Sequence, residues 1–184
     1  LRILRGCMCR RCTETPGKKT FFEFRTSASK TEEDQSKQRE TEKIVIMRSE
    51  CIFFCPVRVR YGEVDQQGIV YNGNYVVYTD LAFEEFFRSK GYPYRVLAEQ
   101  YGSEVCHKKS TYEFVSSAYE GDLLEVGISD IKVGNRSITI TFEIYREGED
   151  DLILRCESVY VGYDKEKRVS RPITDLMRRL LEVS

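Results

Sequence analysis

One long apolar segment does most to limit the folds open to this chain. Residues 75–90 carry apolar side chains at positions 75, 78, 82 and 86 and also at 77, 81, 83 and 87. A helix that is apolar around most of its circumference has to be buried, so we expect it to lie deep in a core. Its polar stripe is Asp80, Glu84 and Arg88, and Glu84 precedes Arg88 in the order that favours an ion pair. Gly91 predicts the end of the helix.

Strand-like runs precede and follow this helix. Their turn signals are rich in glycine, and Ser137–Tyr145 alternates as a strand with one buried face does. Strands grouped after one helix favour an antiparallel α+β layer over repeated βαβ units. The pattern predicts an α+β fold in which a five-stranded antiparallel sheet wraps around one long buried helix. The predicted strands span 51–61, 104–118, 122–133, 136–146 and 152–163, and short helices are predicted at 94–101 and 172–181.

The N-terminal region, residues 1–46, differs from the rest. It holds 11 Lys and Arg against 7 Asp and Glu, a net charge of +4. Residues 27–43 contain a single apolar residue, Ala28, and cannot bury a face, so we expect 1–46 to be a disordered extension. The fold is then predicted to occupy residues 47–184, and Met47 is a candidate start. The first 13 residues, with four arginines and no acid, faintly resemble an organelle transit peptide.

Composition excludes several classes of function. The net charge of −1 argues against general attraction to nucleic acid, and no run reaches the roughly 18–20 apolar residues of a membrane span. Seven irregularly spaced cysteines do not form a secreted disulfide framework, so we expect a reduced, cytoplasmic protein. The motif Cys7-x-Cys9-x-x-Cys12 lacks a fourth nearby ligand, and no metal site is predicted. His107 is the only histidine and is predicted to lie on a partly exposed strand.

The connection between the first strand and the long helix, residues 61–75, contains the most suggestive chemistry. Asp65 lies in it, Gly68 allows unusual backbone angles, and the N–H groups of Asn72 to Asn74 fall near the helix start. A carboxylate facing a helix N-terminus can supply a base or nucleophile opposite oxyanion donors, as acyl transfer requires. An ordinary strand–turn–helix joint with a capping acid fits the same spacing.

The chain resembles the hotdog-fold acyl-CoA thioesterases of the 4-hydroxybenzoyl-CoA thioesterase and YbgC type over residues 50–175. The matching residues are Arg58-Val-Arg-Tyr61, Glu63-Val-Asp65, Gly68-Ile-Val-Tyr71 and Asn74-Tyr75, with later matches at 119–126, 136–138 and 168–172. The resemblance implies hydrolysis of an acyl thioester, carried by CoA or an acyl-carrier protein. It further implies a homodimer or homotetramer and no cofactor.

The resemblance also assigns residues. It implies that Asp65 is the catalytic carboxylate, and that the amides of Asn72 and Gly73 polarise the thioester carbonyl. Many YbgC-type members have His where this chain has Asn72, so any proton exchange by that side chain is absent here. Substrate-lining residues are then Tyr61, Val70, Tyr71, Tyr75 and Tyr78, and candidate CoA contacts are Lys132, Arg136 and Arg171.

Alternatives remain at this point. Glu84 and Glu85 are interpreted as ion-pair or interface acids, although a second hotdog class uses a helix carboxylate. Glu63 is interpreted as structural. A hotdog module that binds acyl groups or a protein without catalysis is the main competing function. A dehydratase usually pairs His with an acid, and His107 does not occupy that place.

Overall fold

The computed structural model describes residues 48–182. The predicted N-terminal extension, Met47 and the cysteine motif at 7–12 lie outside the described residues. Five long strands and one short strand form a single antiparallel sheet in the order β1-β3-β4-β5-β2, and β6 pairs with the end of β5. The strands are β1 Phe53–Arg58, β2 Val105–Phe114, β3 Leu123–Val133, β4 Ser137–Arg146, β5 Leu152–Asp164 and β6 Val169–Ser170.

The predicted α+β fold is confirmed, with three differences in the strands. The first predicted strand, 51–61, is shorter than expected, because the chain turns into a 3-10 helix at Tyr61–Glu63. The second, 104–118, ends at Phe114, and residues 115–118 form part of the connection to β3. The two-residue strand β6 was not predicted, and it covers only the last two positions of β5.

Within the described part of the chain, three α-helices accompany the sheet: α1 Asn74–Ser89, α2 Tyr94–Tyr101 and α3 Asp175–Leu181. The long helix α1 ends as its sequence predicts, because Gly91 adopts φ +84° and its N–H bonds to the carbonyl of Arg88 at 2.9 Å. The predicted ion pair is present, with Arg88 Nη2 2.6 Å from Glu84 Oε1.

The buried face of α1 packs against the concave side of the sheet. Aromatic rings dominate this contact, and the ring of Phe83 stacks on that of Tyr160 of β5 at 4.5 Å. Deep burial of the apolar positions of this helix was expected, and that expectation is wrong for two of them. Val77 is 60% exposed and Leu81 is 39% exposed within the described chain. No helix in residues 48–182 is both long and apolar enough to cross a membrane.

Candidate active site

The connection from β1 to α1, residues 59–73, folds into a compact structure that we call the platform. Val64 and Val70 form an antiparallel bridge, and Ile69 pairs in the same way with Tyr119 ahead of β3. The turn between them closes when the N–H of Gly68 bonds to the carbonyl of Asp65 at 2.9 Å. Gly68 has φ +75°, a backbone angle that glycine adopts at little cost. Asp65 is therefore the first residue of a tight turn, and the bridge between Ile69 and Tyr119 fixes that turn next to the sheet.

Only one of the two oxygens of the Asp65 carboxylate is hydrogen-bonded within residues 48–182. Its Oδ1 accepts a hydrogen bond from the backbone N–H of Gln67 at 2.7 Å, which fixes the side chain within the turn. Among residues 48–182, no group donates to the second oxygen, and the side chain is half-buried. One carboxylate oxygen is thus oriented by the protein while the other is available to a bound molecule.

Unpaired donors lie at the start of α1. The N–H of Asn74 bonds to the carbonyl of Tyr71 at 2.9 Å, so this donor is used within the protein. The N–H groups of Asn72 and Gly73 find no acceptor within the described part of the chain. Gly73 is the N-terminal cap residue and has no side chain to bond the first turn. The positive end of the helix dipole and two free donors therefore coincide at this point.

Glu63 ties this helix start to the platform. Its carbonyl accepts the Tyr71 N–H at 2.9 Å and the Asn74 Nδ2 group at 2.7 Å. Its carboxylate accepts the Arg60 N–H at 2.7 Å and the Tyr78 hydroxyl at 2.8 Å. Those contacts agree with the structural role predicted for Glu63, and burial together with the Glu63 bond raises the pKa of the Tyr78 hydroxyl.

A cavity of about 360 Å³ brings most of these groups together. Five residues predicted from the sequence line it: Asp65, Val70, Tyr71, Asn72 and Tyr75. The segment that follows β2 supplies the opposite wall, through Phe114, Val115, Ser116 and Ser117. Sequence reasoning missed this wall, because its position depends on the pairing of β2 with β5 and leaves no local signal.

Other predicted site residues lie elsewhere. Tyr61 is 81% exposed in the 3-10 turn and does not line the cavity. Tyr78 is buried behind the cavity against Glu63. Gly73 lies at the helix start beside the lining residue Asn72 but does not itself line the cavity.

The candidate CoA contacts lie at the other end of the sheet in this chain. Lys132 Nζ pairs with Asp130 Oδ2 at 3.0 Å, and Arg136 bonds to the carbonyl and hydroxyl of Ser170. Arg171 lies over the α2 terminus at Gly102. Because β3 begins near the platform and extends for about 33 Å, Lys132 at its far end does not join Asp65 within one chain.

The alternative catalytic groups do not reach the cavity. Arg88 bonds to both Glu84 and Glu85, as the ion-pair interpretation of these acids requires. His107 is exposed on β2, and its Nε2 atom lies 2.7 Å from the Ser110 hydroxyl. Neither acid nor the histidine lines the cavity that contains Asp65.

The model of a protein family described as the thioesterase-like superfamily matches residues 59–181. The chain belongs to this superfamily. A putative esterase of Aquifex aeolicus is 32% identical over 115 residues, which cover 62% of this chain and 88% of the relative. The acyl-CoA thioester hydrolase YbgC of Escherichia coli is 28% identical over 122 residues, covering 66% and 90% of the two chains.

Solved structures agree on the fold. A 4-hydroxybenzoyl-CoA thioesterase mutant, solved with 4-hydroxybenzoyl-CoA, superimposes with a TM-score of 0.62 at 20% identity. The match covers 71% of this chain and 98% of that one. The predicted resemblance is therefore confirmed: the protein is a hotdog-fold thioesterase, an enzyme that hydrolyses thioesters.

Proposed function

We propose that this thioesterase hydrolyses acyl-CoA thioesters, with the Asp65 carboxylate as general base or nucleophile and the amides of Asn72 and Gly73 as oxyanion donors. One observation carries the proposal. Asp65, whose carboxylate has one oxygen without a protein donor, and Asn72, whose N–H has no protein acceptor, line the same cavity. Hydrolysis of a thioester needs these two groups on opposite sides of a carbonyl carbon.

The helix start supplies the electrostatic part of the reaction. A thioester carbonyl oxygen placed against the N–H groups of Asn72 and Gly73 becomes negatively charged as the tetrahedral intermediate forms. One oxyanion donor is typically worth about 2.7–4 kcal/mol in the transition state. These N–H groups are already free of protein acceptors, so the substrate breaks no internal hydrogen bond to reach them.

Asp65 provides the second half of the mechanism, as the group that either accepts a proton or attacks the carbonyl carbon. As a base, its free oxygen takes a proton from water while the water oxygen attacks the carbonyl carbon. As a nucleophile, it attacks the carbon itself and forms a mixed anhydride that water then hydrolyses. In both routes the carbon–sulfur bond breaks, and the thiolate leaves and is protonated. Asn72 cannot exchange protons, which leaves this chemistry to Asp65.

The name of the Escherichia coli relative, an acyl-CoA thioester hydrolase, supports CoA as the carrier. Acyl-carrier-protein thioesters share the reacting bond and are the alternative substrate. The cavity is mainly apolar, with Val70, Tyr75, Phe114 and Val115 in its walls, and this favours an acyl group over a polar one next to the thioester.

We further propose that the enzyme assembles as a homodimer or homotetramer with β2 at the interface. β2 is an edge strand with unpaired backbone groups, and such edges are usually covered. Exposed apolar side chains lie in the cavity wall that follows β2 and on α1, namely Phe114, Val115, Val77 and Leu81. Size-exclusion chromatography with light scattering tests this proposal, and a monomer at micromolar concentration would contradict it. A cytoplasmic location stays a prediction.

The decisive experiment compares wild type with Asp65→Asn on acetyl to palmitoyl and aromatic CoA thioesters and one acyl-carrier-protein thioester. The amide retains an oxygen for the Gln67 N–H, so the turn should survive. We expect kcat to fall by about 10²-fold or more. Asp175→Asn, at an exposed position in the first turn of α3, is the matched control and should retain full activity. Equal activity of wild type and Asp65→Asn would overturn the assignment.

A further inference from the structure

A row of polar side chains extends from the exposed edge strand β2 to buried positions on β5. It follows the paired strands β2 and β5 beneath α1, and we call it the polar seam. The pairing places Tyr112 opposite Cys156, Ser110 opposite Ser158, and His107 opposite Tyr160, so these six residues form the seam. On the other side of β5, at the same three levels, β4 presents only buried apolar side chains, Phe142, Ile140 and Ile138.

Part of the seam is internally hydrogen-bonded. The Ser110 hydroxyl lies 2.7 Å from His107 Nε2 and 2.5 Å from the Ser158 hydroxyl. Ser158 in turn lies 3.3 Å from the Cys156 sulfur. His107 is exposed and Cys156 is fully buried, so this series of hydrogen bonds leads from the surface into the core.

Two phenols in the seam remain without partners. The hydroxyls of Tyr112 and Tyr160 are buried and form no hydrogen bond within residues 48–182. Tyr160 as a whole is only 3% exposed. Burial raises the pKa of both phenols, while the nearby Thr79 and Ser110 hydroxyls lower that of Tyr112 and the Ser158 hydroxyl lowers that of Tyr160, although none of these three contacts has hydrogen-bonding geometry. Both phenols therefore remain O–H donors at neutral pH, and an unmet buried donor is costly unless something binds it.

The seam begins directly behind a wall of the Asp65 cavity. Phe114 lines that cavity, and its ring lies 6.4 Å from the ring of Tyr112 and 5.6 Å from that of Tyr75. Tyr112 lies two residues further along β2, a distance of about 7 Å, and Ser110 lies about 13 Å away. Phe114 is 53% exposed within one chain, so the core of that chain does not enclose its ring.

We propose that the acyl chain of the substrate extends past Phe114 into the polar seam, where the hydroxyls of Tyr112 and Tyr160 bind an uncharged oxygen at its distal end. This inference rests on the proposed function and names the substrate class: medium-length acyl thioesters with a terminal hydroxyl or carbonyl group. An unsubstituted chain would leave both donors unpaired, and sites that bond a substrate hydroxyl reject such analogues. Asp80, close to Tyr160 and His107, disfavours an anionic chain end.

The test measures kcat/KM for hexanoyl- to dodecanoyl-CoA and for their terminal hydroxy counterparts. We expect wild type to prefer the hydroxy substrate by about tenfold or more at one or more chain lengths, the effect of a single good hydrogen bond. Tyr112→Phe and Tyr160→Phe should reduce this preference towards unity and leave kcat/KM for the plain chain unchanged or higher. Tyr163→Phe, on the opposite face of β5, is the matched control and should keep the wild-type preference.

Thermal unfolding separates a binding role from a structural one. Removing a hydroxyl that has no partner should leave the melting temperature unchanged or raised, and a lowered melting temperature with an unchanged preference would overturn the inference. Equal rates on plain and hydroxy chains would also overturn it, while the loss of activity in Asp65→Asn would keep the proposed function intact. Activity that survives Asp65→Asn, or absence of activity on all thioesters, would remove the proposed function and this inference with it.

Discussion

Asn74 provides the sharpest test of how the start of α1 serves the reaction. It is the first residue of the helix, and its Nδ2 group donates to the Glu63 carbonyl at 2.7 Å. Asn74→Ala removes this bond. Asn74→Asp keeps the shape, but an ionised carboxylate cannot donate to the carbonyl, and it adds a negative charge at the N-terminus of the helix. The two variants therefore share one lost contact and differ in charge.

The expected changes in stability follow from these contacts. Loss of one neutral hydrogen bond costs about 0.5–1.5 kcal/mol, which lowers Tm by about 2–4 °C per kcal/mol in a chain of this size. In Asn74→Asp the negative charge interacts favourably with the N-terminus of the helix, and this interaction offsets about 0.3–1 kcal/mol of the lost stability. We therefore expect a clear fall in Tm for Asn74→Ala and a smaller one for Asn74→Asp.

The expected changes in activity run in the opposite order. In Asn74→Asp the new carboxylate competes with the developing oxyanion for the same helix N-terminus. Two unit charges about 4 Å apart repel by about 4 kcal/mol near a protein surface. The developing oxyanion carries less than a unit charge in the transition state, so its repulsion by the new carboxylate is a fraction of this value. We expect kcat to fall by about tenfold for Asn74→Ala and by about tenfold more for Asn74→Asp, with kcat/KM falling in parallel.

The assay measures kcat, KM and Tm for both variants on the best wild-type thioester. Asn135, exposed in the turn between β3 and β4, provides matched controls through Asn135→Ala and Asn135→Asp. Among residues 48–182 its side chain forms no hydrogen bond, and its backbone carbonyl accepts one from the Ile173 N–H. If Asn74→Asp had the kcat of wild type at an unchanged Tm, the oxyanion could not lie at this helix start, and the mechanism would be refuted.

Two further predictions concern ionised groups outside the cavity. Burial raises the folded-state pKa of Asp80, so its contribution to stability is fully present below the unfolded pKa of about 3.9 and is lost as pH rises through the folded pKa. Thermal melts should show Asp80→Asn above wild type at neutral pH and equal to it near pH 3, and equal melts at both pH values would contradict this. Arg155→Met leaves the fully buried Glu143 without its guanidinium partner, at a cost of about 3–5 kcal/mol by urea unfolding. The double variant with Glu143→Gln should recover most of the free energy of unfolding that Arg155→Met loses.

The elements of the fold were predictable because their hydrophobic periods are strong. The helix expected at 75–90 forms at Asn74–Ser89, and Ser137–Tyr145 lies within strand β4 as its alternation indicates. Asp65 and Asn72 were found together because both lie in one short connection, where sequence spacing translates directly into proximity. Local patterns therefore predicted both the elements and the core of the candidate site.

Features that depend on distant pairing were not predictable. Phe114 and Val115 reach the Asp65 cavity only because β2 pairs with β5 and not with its neighbours in sequence. The exposure of Val77 and Leu81 was missed for a related reason. Periodicity reports how apolar each face of a helix is, but not whether anything within the same chain covers it.

The free donors at the helix start show why geometry was needed to define the site. A helix usually has unpaired N–H groups in its first turn, and a side chain of Ser, Thr, Asp or Asn before it commonly bonds one of them. Here the cap residue is Gly73, and the carbonyls of Tyr71 and Asn72 accept the N–H groups of Asn74 and Tyr75 instead. The unpaired donors are therefore displaced to Asn72 and Gly73, one of which lines the cavity with Asp65. In the proposed mechanism a carbonyl oxygen binds beside these donors, and the absence of a capping side chain at position 73 leaves the N–H groups of Asn72 and Gly73 without a competing acceptor.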